Sequence, residues 1–256
     1  RLRDVINKGV TEKDLETAVT YAFEEGWSTI KLYFMIGLPT ETEEDLLGIR
    51  DLGYKVKNIF FNFPKDKRKG NLKITLSASC FVPKPFTPFQ WVGQNSLEEF
   101  NEKINLLRNE IRDRKITFNY HDPKLSYLEA VLARGDRRLS KVIARAWELG
   151  CKFDGWSEIF DYNKWMKAFK ETGICADFYA LRERKYDEVL PWDFINIGVD
   201  KSFLYSEYKK ATKGIPTKDF RDQVYAGNVI HANNPVLTYA VSNAVVKMEF
   251  LLYYNI

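Results

Sequence analysis

The chain has 256 residues, 45% of them hydrophobic, with 39 Lys and Arg against 35 Asp and Glu for a formal net charge of +4. That length and apolar content can bury a full core, as one large or two smaller domains, and so small a charge does not demand a polyanionic partner. Cys80, Cys151 and Cys175 stand far apart with no CxxC pair and no His-rich cluster, which argues against a zinc site and a disulfide framework. No run approaches the roughly 20 apolar residues of a membrane span and no signal peptide is visible, so a soluble cytoplasmic protein is the default expectation. The chain starts at Arg1 without an initiator Met and is read as a fragment.

In chain order, Thr11-Glu-Lys-Asp14 predicts a capped helix start, with Leu15, Val19, Ala22 and Phe23 as its apolar stripe and Gly26 as its stop. The organising stretch comes next. Ile30 to Ile36 is an apolar run broken at Gly37 and Pro39, after which Thr40 or Thr42 caps a helix whose first turn holds Glu43, Glu44 and Asp45. This is a buried parallel strand, a tight turn and a helix, and in parallel α/β folds such a turn lies on the ligand-binding edge. Leu46, Leu47, Leu52, Val56, Ile59 and Phe60 suit a long amphipathic helix, weakened by Gly48 and Gly53.

Lys65-Asp-Lys-Arg-Lys-Gly70 reads as a solvated connection rather than a phosphate-binding patch. Leu72, Ile74, Leu76, Ala78, Cys80 and Val82 alternate with more polar neighbours, giving a second strand. Ser96-Leu-Glu-Glu99 is a capping box opening a helix with Phe100, Ile104, Leu107 and Ile111 on one face. Ile116, Phe118 and Tyr120 alternate in a third strand that ends at His121-Asp122. The strands start near Thr29, Leu72 and Lys115, a pitch of about 43 residues. Strands and helices alternating at that pitch are βα units of a parallel sheet or barrel, and three are too few to close an eight-stranded one.

Beyond Asp122 the pattern is helical, over Leu125–Arg134, Leu139–Leu149 up to Gly150, Tyr162–Thr172 up to Gly173, and from Asp200 or Ser202 through Phe203, Leu204 and Tyr208. Trp147, Trp156, Trp165 and Trp192 enrich this region; they read as core or interface packing in preference to a stacking platform for bases.

Cys80-Phe-Val-Pro-Lys-Pro-Phe-Thr-Pro-Phe-Gln-Trp91 leaves the second strand directly, and its three prolines fix an extended loop. It is either a stiff connection or a wall over the mouth of a barrel. The breaks after Pro39, Val82 and Tyr120 should emerge at a common rim. Phe81, Pro83, Lys84 and Thr87 from the loop, with His121 and Asp122, are therefore the substrate-pocket candidates. His121 is a proton donor or acceptor there, or a satisfied structural residue. Cys80 reads as a buried small hydrophobe, since nothing marks its thiolate as activated.

Lys31-Leu-Tyr-Phe-Met-Ile-Gly-Leu-Pro-Thr-Glu-Thr-Glu-Glu-Asp45 resembles the later barrel strand and turn of radical S-adenosylmethionine enzymes. Arg3-Asp-Val-Ile-Asn7, Phe81 to Trp91, Leu128-Glu-Ala-Val-Leu-Ala-Arg-Gly-Asp-Arg-Arg138, Gly150-Cys-Lys-Phe-Asp-Gly-Trp156 and Val189-Leu-Pro-Trp-Asp193 are similar to the branch with an upstream cobalamin-binding-type domain. The resemblance covers about Arg1 to Lys218. It implies a partial (β/α) barrel over residues 1–122 and a mostly helical extension over 123–218. It also implies a 4Fe-4S cluster, S-adenosylmethionine and a deoxyadenosyl radical that abstracts a substrate hydrogen, with cobalamin possible through the upstream domain. A cofactor-contact role passes to Gly37, Leu38 and Pro39. The family's CxxxCxxC cluster loop has no counterpart here, so the chain corresponds to the second half of such an enzyme and is not expected to be active without its N-terminal half.

From about Val224 the tail resembles part of the nuclease half of phage terminase large subunits, through His231, Asn234-Pro-Val-Leu237 and Ser242-Asn243. A two-metal nuclease needs several carboxylates and this tail offers only Glu249. Residues 219–256 are accordingly read as a divergent tail, the product of a joined or mis-assembled reading frame. The alternative function is a non-catalytic RNA-binding module gripping phosphates with Arg134, Arg137, Arg138, Lys141 and Arg145; the plainer reading of that basic run is a solvated helix face.

Overall fold

The computed structural model describes residues 1–217; the expectations placed on the tail, including His231 and Glu249, lie outside the described residues. The elements, in order, are α1 (Leu2–Val5), α2 (Glu12–Glu24), β1 (Thr29–Ile36), α3 (Glu43–Asn62), a 3-10 turn at Lys65–Lys67, β2 (Lys73–Cys80), α4 (Leu97–Glu110) and β3 (Ile116–Tyr120). The helices α5 (Pro123–Ala133), α6 (Leu139–Glu148), α7 (Tyr162–Thr172), α8 (Asp177–Ala180) and α9 (Lys201–Thr212) complete them. Three helices open on reciprocal capping boxes, Thr11 with Asp14, Thr42 with Asp45 and Ser96 with Glu99. Each satisfies two otherwise orphaned amides and contributes about 1 kcal/mol. Between the two threonines offered after β1, Thr42 is the cap; Thr40 sits at φ 65° inside the turn. Gly26, Gly150 and Gly173, all at positive φ, come after α2, α6 and α7 as expected of left-handed helix stops.

The strands form one parallel sheet in the order β1-β2-β3, with Ile30, Ile74 and Ile116 in one row and Tyr33, Ser77 and Asn119 in another. The sheet is open: the outer edges of β1 and β3 pair with no strand among the described residues. The molecule is thus a mixed α/β protein whose sheet does not close upon itself.

One face of the sheet carries Ile36, Ile74, Leu76, Ala78, Cys80 and Ile116, which pack with Phe23 of α2, Val56 and Phe60 of α3, and Phe100, Ile104 and Leu107 of α4. The two glycines that weaken α3 do not stop it. Gly53 lies under Leu76, where an added Cβ would come within 2.9 Å, so its bareness lets the helix approach β2 closely; Gly48 faces open space. A second core joins Tyr127, Leu128 and Val131 of α5, Val142 and Ala146 of α6, Trp165 and Phe169 of α7 and Tyr179 of α8. The chain then returns along the first unit, and α9 packs against α1. Among the described residues no helix is long and apolar enough to cross a membrane.

Candidate functional site

Parallel pairing puts the C-terminal ends of all three strands on one edge. Ile36 lies beside Cys80, and Ala78 beside Tyr120. Two further amides extend the pairing past the strand ends, Phe81 N–H donating to the Ile36 carbonyl at 2.8 Å and His121 N–H to that of Ala78 at 3.0 Å. The three breaks therefore share a rim, as the sequence pattern requires.

At the β1 end, Gly37 turns the chain at φ 83° and its N–H donates to both carboxylate oxygens of Glu41, at 3.0 and 2.9 Å. The Glu41 side chain is only 2% exposed and is also gripped by Lys103 of α4. A Cβ on Gly37 would come within 2.5 Å of the Phe100 ring. Gly37 thus spends its amide on Glu41 and its empty side on Phe100, both within the turn. Leu38 is buried with Phe81 and Val92, and Pro39 is half-buried beside it. The sequence does not single out Glu41, which is one acid among several there. Glu41→Ala strands a largely enclosed ammonium and a buried amide, so a loss of about 2–3 kcal/mol is expected in denaturant unfolding, with Glu41→Gln losing less.

At the β2 end, Phe81 and Pro83 are buried, Thr87 is half-buried with its hydroxyl donating to the Lys84 carbonyl at 2.8 Å, and Lys84 is exposed and paired with Glu129 of α5. Two glutamines staple the loop to later parts of the chain. Gln90 Oε1 accepts from Phe86 N–H at 3.1 Å and from Trp192 Nε1 at 2.7 Å; Gln94 Nε2 donates to the carbonyls of Phe81 and Ser126, both at 3.1 Å. At the β3 end His121 is exposed, and Asp122 is the exposed cap of α5, accepting from Lys124 N–H at 2.9 Å. Leu38 and Phe81 are brought together in one apolar cluster. Lys84, His121 and Asp122 stay in solvent at the perimeter. None of the candidates lines the surface concavities of about 500 Å³ against α5–α6 and about 660 Å³ beside Lys65–Lys67.

The larger omission concerns the sheet face opposite the helices. Strand alternation assigns it Lys31, Tyr33 and Met35 from β1, Thr75, Ser77 and Ser79 from β2, and Thr117 and Asn119 from β3. Tyr33 is 62% exposed with the Lys31 ammonium 4.7 Å above its ring, and Thr117 and Asn119 are exposed. Parallel sheets are ordinarily covered on both faces by apolar layers. This one offers hydroxyls and an amide, with the Lys31 ammonium toward the opposite end of β1 from the rim.

Burial pushes the Cys80 thiol up to about 11, and its sulfur sits 3.9 Å from the His121 carbonyl. That is the inert, enclosed cysteine the sequence indicates. The basic series needs a correction at its first member. Arg134 is fully buried, donating to the carbonyls of Ala180 at 2.7 Å and Arg182 at 3.1 Å, and so is no part of a surface stripe. Arg138 pairs with Asp136, and Arg145 with Glu148 and Glu171, leaving Arg137 and Lys141 as exposed members with no ion-pair partner among the described residues.

The donors of this chain do not fit an iron–sulfur cluster. Cys80 and Cys151 are buried, Cys175 is exposed, and among the described residues no three His, Cys, Asp or Glu side chains converge. In comparisons with known proteins, the chain is 34% identical over 147 residues to an uncharacterized protein of Methanocaldococcus jannaschii. The alignment covers 56% of this chain but only 29% of that protein. No family model and no solved structure matches.

Proposed function

We propose that the chain is the C-terminal part of a radical S-adenosylmethionine enzyme, contributing one wall of a partial (β/α) barrel. The observation that carries this reading is the one-sided sheet. Helices cover its apolar face, its polar face exposes Lys31, Tyr33, Thr117 and Asn119 around a buried Ser77, and both edges lack strands among the described residues. Such a sheet is the arrangement a barrel wall has when its other strands belong to another stretch of polypeptide. The sequence resemblance over about 218 residues and the much greater length of the archaeal relative support it.

In this reading the 4Fe-4S cluster is held by cysteines outside this chain, and S-adenosylmethionine, when bound, supplies the radical. This chain's residues do three things. Thr75, Ser77, Ser79 and Asn119 line the chamber with hydrogen-bonding groups, and Lys31 places a positive charge on its wall. The Phe81–Trp91 loop, stiffened by prolines and packed on Leu38, keeps water from the mouth. The Leu38 N–H and the Pro39 carbonyl are left for cofactor contact, the Gly37 N–H being engaged by the Glu41 carboxylate and the Leu38 carbonyl by Glu41 N–H. Cobalamin enters, if used, through a separate domain. The RNA-binding alternative rests on Arg137 and Lys141 alone once Arg134 is buried and its neighbours are paired.

The test is the longer polypeptide, purified anaerobically. Cleavage of S-adenosylmethionine to 5′-deoxyadenosine is expected, and Asn119→Phe, exposed on the polar face near the strand ends, should reduce it at least ~10-fold while circular dichroism stays unchanged. A longer protein without a cysteine triplet, or without cleavage after cluster reconstitution, overturns the reading. Tight RNA binding with a steep salt dependence would favour the alternative.

A further inference from the structure

The segment from Leu181 to Asp193 crosses from the second core to the Phe81–Trp91 loop, Arg184 N–H donating to the Trp91 carbonyl at 2.7 Å. It carries an imbalance of charge into the interior. Arg134 is 0% exposed and Arg184 4%. Arg134 donates to two carbonyls; Arg184 Nη2 donates to the Arg134 carbonyl at 2.7 Å. Buried guanidinium nitrogens remain with no acceptor among the described residues: Nε of Arg134, Nε and Nη1 of Arg184, and Nε of the neighbouring Arg182.

No carboxylate among the described residues reaches these nitrogens. Glu188 is held by Arg182 in a two-point pair at 2.8 and 2.6 Å, and Asp136 is held by Arg138 at the surface. Aromatic rings cover guanidinium faces, Trp192 at 4.9 Å from Arg184 and Phe178 at 4.5 Å from Arg182. Rings satisfy faces and leave the in-plane N–H groups wanting an acceptor. By contrast Arg50, Arg138 and Arg145, at the surface, all find carboxylates. Burial holds Arg184 below the usual arginine range and lowers Arg134 to about 9, each reinforced by neighbouring arginines. An enclosed, uncompensated cation is a heavy cost, which fold and sequence tolerate only if something offsets it.

We infer that Arg134, Arg182 and Arg184 enclose a binding site for one small inorganic anion, between chloride and phosphate in size. The unserved nitrogens are closed to solvent, which limits the occupant's size; Arg182, one-third exposed, forms the outer wall through which it enters. The anion ties α5, the crossing segment and the Trp91 loop together. The inference is independent of the radical-enzyme reading, and its test uses no S-adenosylmethionine.

Thermal unfolding of the full chain is compared in gluconate, chloride and phosphate at matched ionic strength, gluconate being too large to enter. Chloride or phosphate should raise the midpoint saturably, by ~4 °C or more, because a ligand of the native state alone stabilises by mass action. In Arg184→Met the saturable rise should vanish, leaving only the linear, site-independent effect that such salts have on apolar burial in any protein. Equal midpoints in the unaltered protein, or an undiminished anion effect in Arg184→Met, overturn the inference. Should that variant not fold, crystals of the unaltered protein soaked in bromide decide. An anomalous peak within reach of Arg184 Nε and Nη1 supports the site, and no peak there overturns it.

Discussion

Gly37→Ala is expected to destabilise the protein by roughly 2–5 kcal/mol, seen as a fall of about 10 °C in the thermal midpoint. Two costs add. The backbone at φ 83° lies where an L side chain is strained, by about 1–2 kcal/mol. The new methyl would then sit 2.5 Å from Phe100 Cε1 and 2.8 Å from Asn95 Oδ1. Phe100 is fully buried in the sheet–helix core, so its ring has nowhere to retreat, and overpacking adds about 1–3 kcal/mol. Gly48→Ala is the matched control: nothing lies within 4 Å of its added Cβ, and it should stabilise α3 by about 0.5–1 kcal/mol. Similar midpoints for the two variants would sink the account of the turn.

Trp91→Ala should cost about 3–5 kcal/mol, the range for removing a fully buried aromatic. Trp91 is 1% exposed and meets the rings of Tyr186, Tyr205 and Tyr208 at 6.0, 5.3 and 6.1 Å. With Leu190, Trp192 and Leu204 it forms a small core that holds α9 and the crossing segment to the loop after β2. The loss should therefore be regional. Proteolysis is expected first between Arg182 and Lys213, while the sheet–helix core keeps its far-ultraviolet signal. Uniform loss of both, in one transition, would show that these contacts do not form a separable unit.

Elements governed by local chemistry are legible in the sequence. The caps at Thr11 and Ser96, the stops at Gly26 and Gly173 and the three strands arise from side chains within a few residues of one another. Thr42 over Thr40 is not, because the choice depends on which residue the turn twists into the left-handed region. The short helices α1 and α8, of four residues each, are too brief for periodicity to register. Arg134 reads as surface because it opens a polar run. Yet it stands seven, four and three residues after Tyr127, Ala130 and Val131, all buried, so helical spacing alone puts it on the inner face. The rim is legible from the parallel grammar, whereas the polar face is hidden. Alternation in β2 draws the eye to its buried side, and the same alternation assigns Thr75, Ser77 and Ser79 to the other.

The bare flanks of the sheet have a practical consequence. A strand with an unmatched row of amides and carbonyls is a template for another chain. Among the described residues there are two such rows, one on each side and pointing in compatible directions, so β3 of one copy can dock beside β1 of the next. Repetition of that step has no closing point and yields a ladder instead of a defined dimer. Lys31, on the β1 edge, opposes it by repelling an incoming copy, itself of net charge +4. Salt, which screens that repulsion, should therefore be kept low when the chain is concentrated.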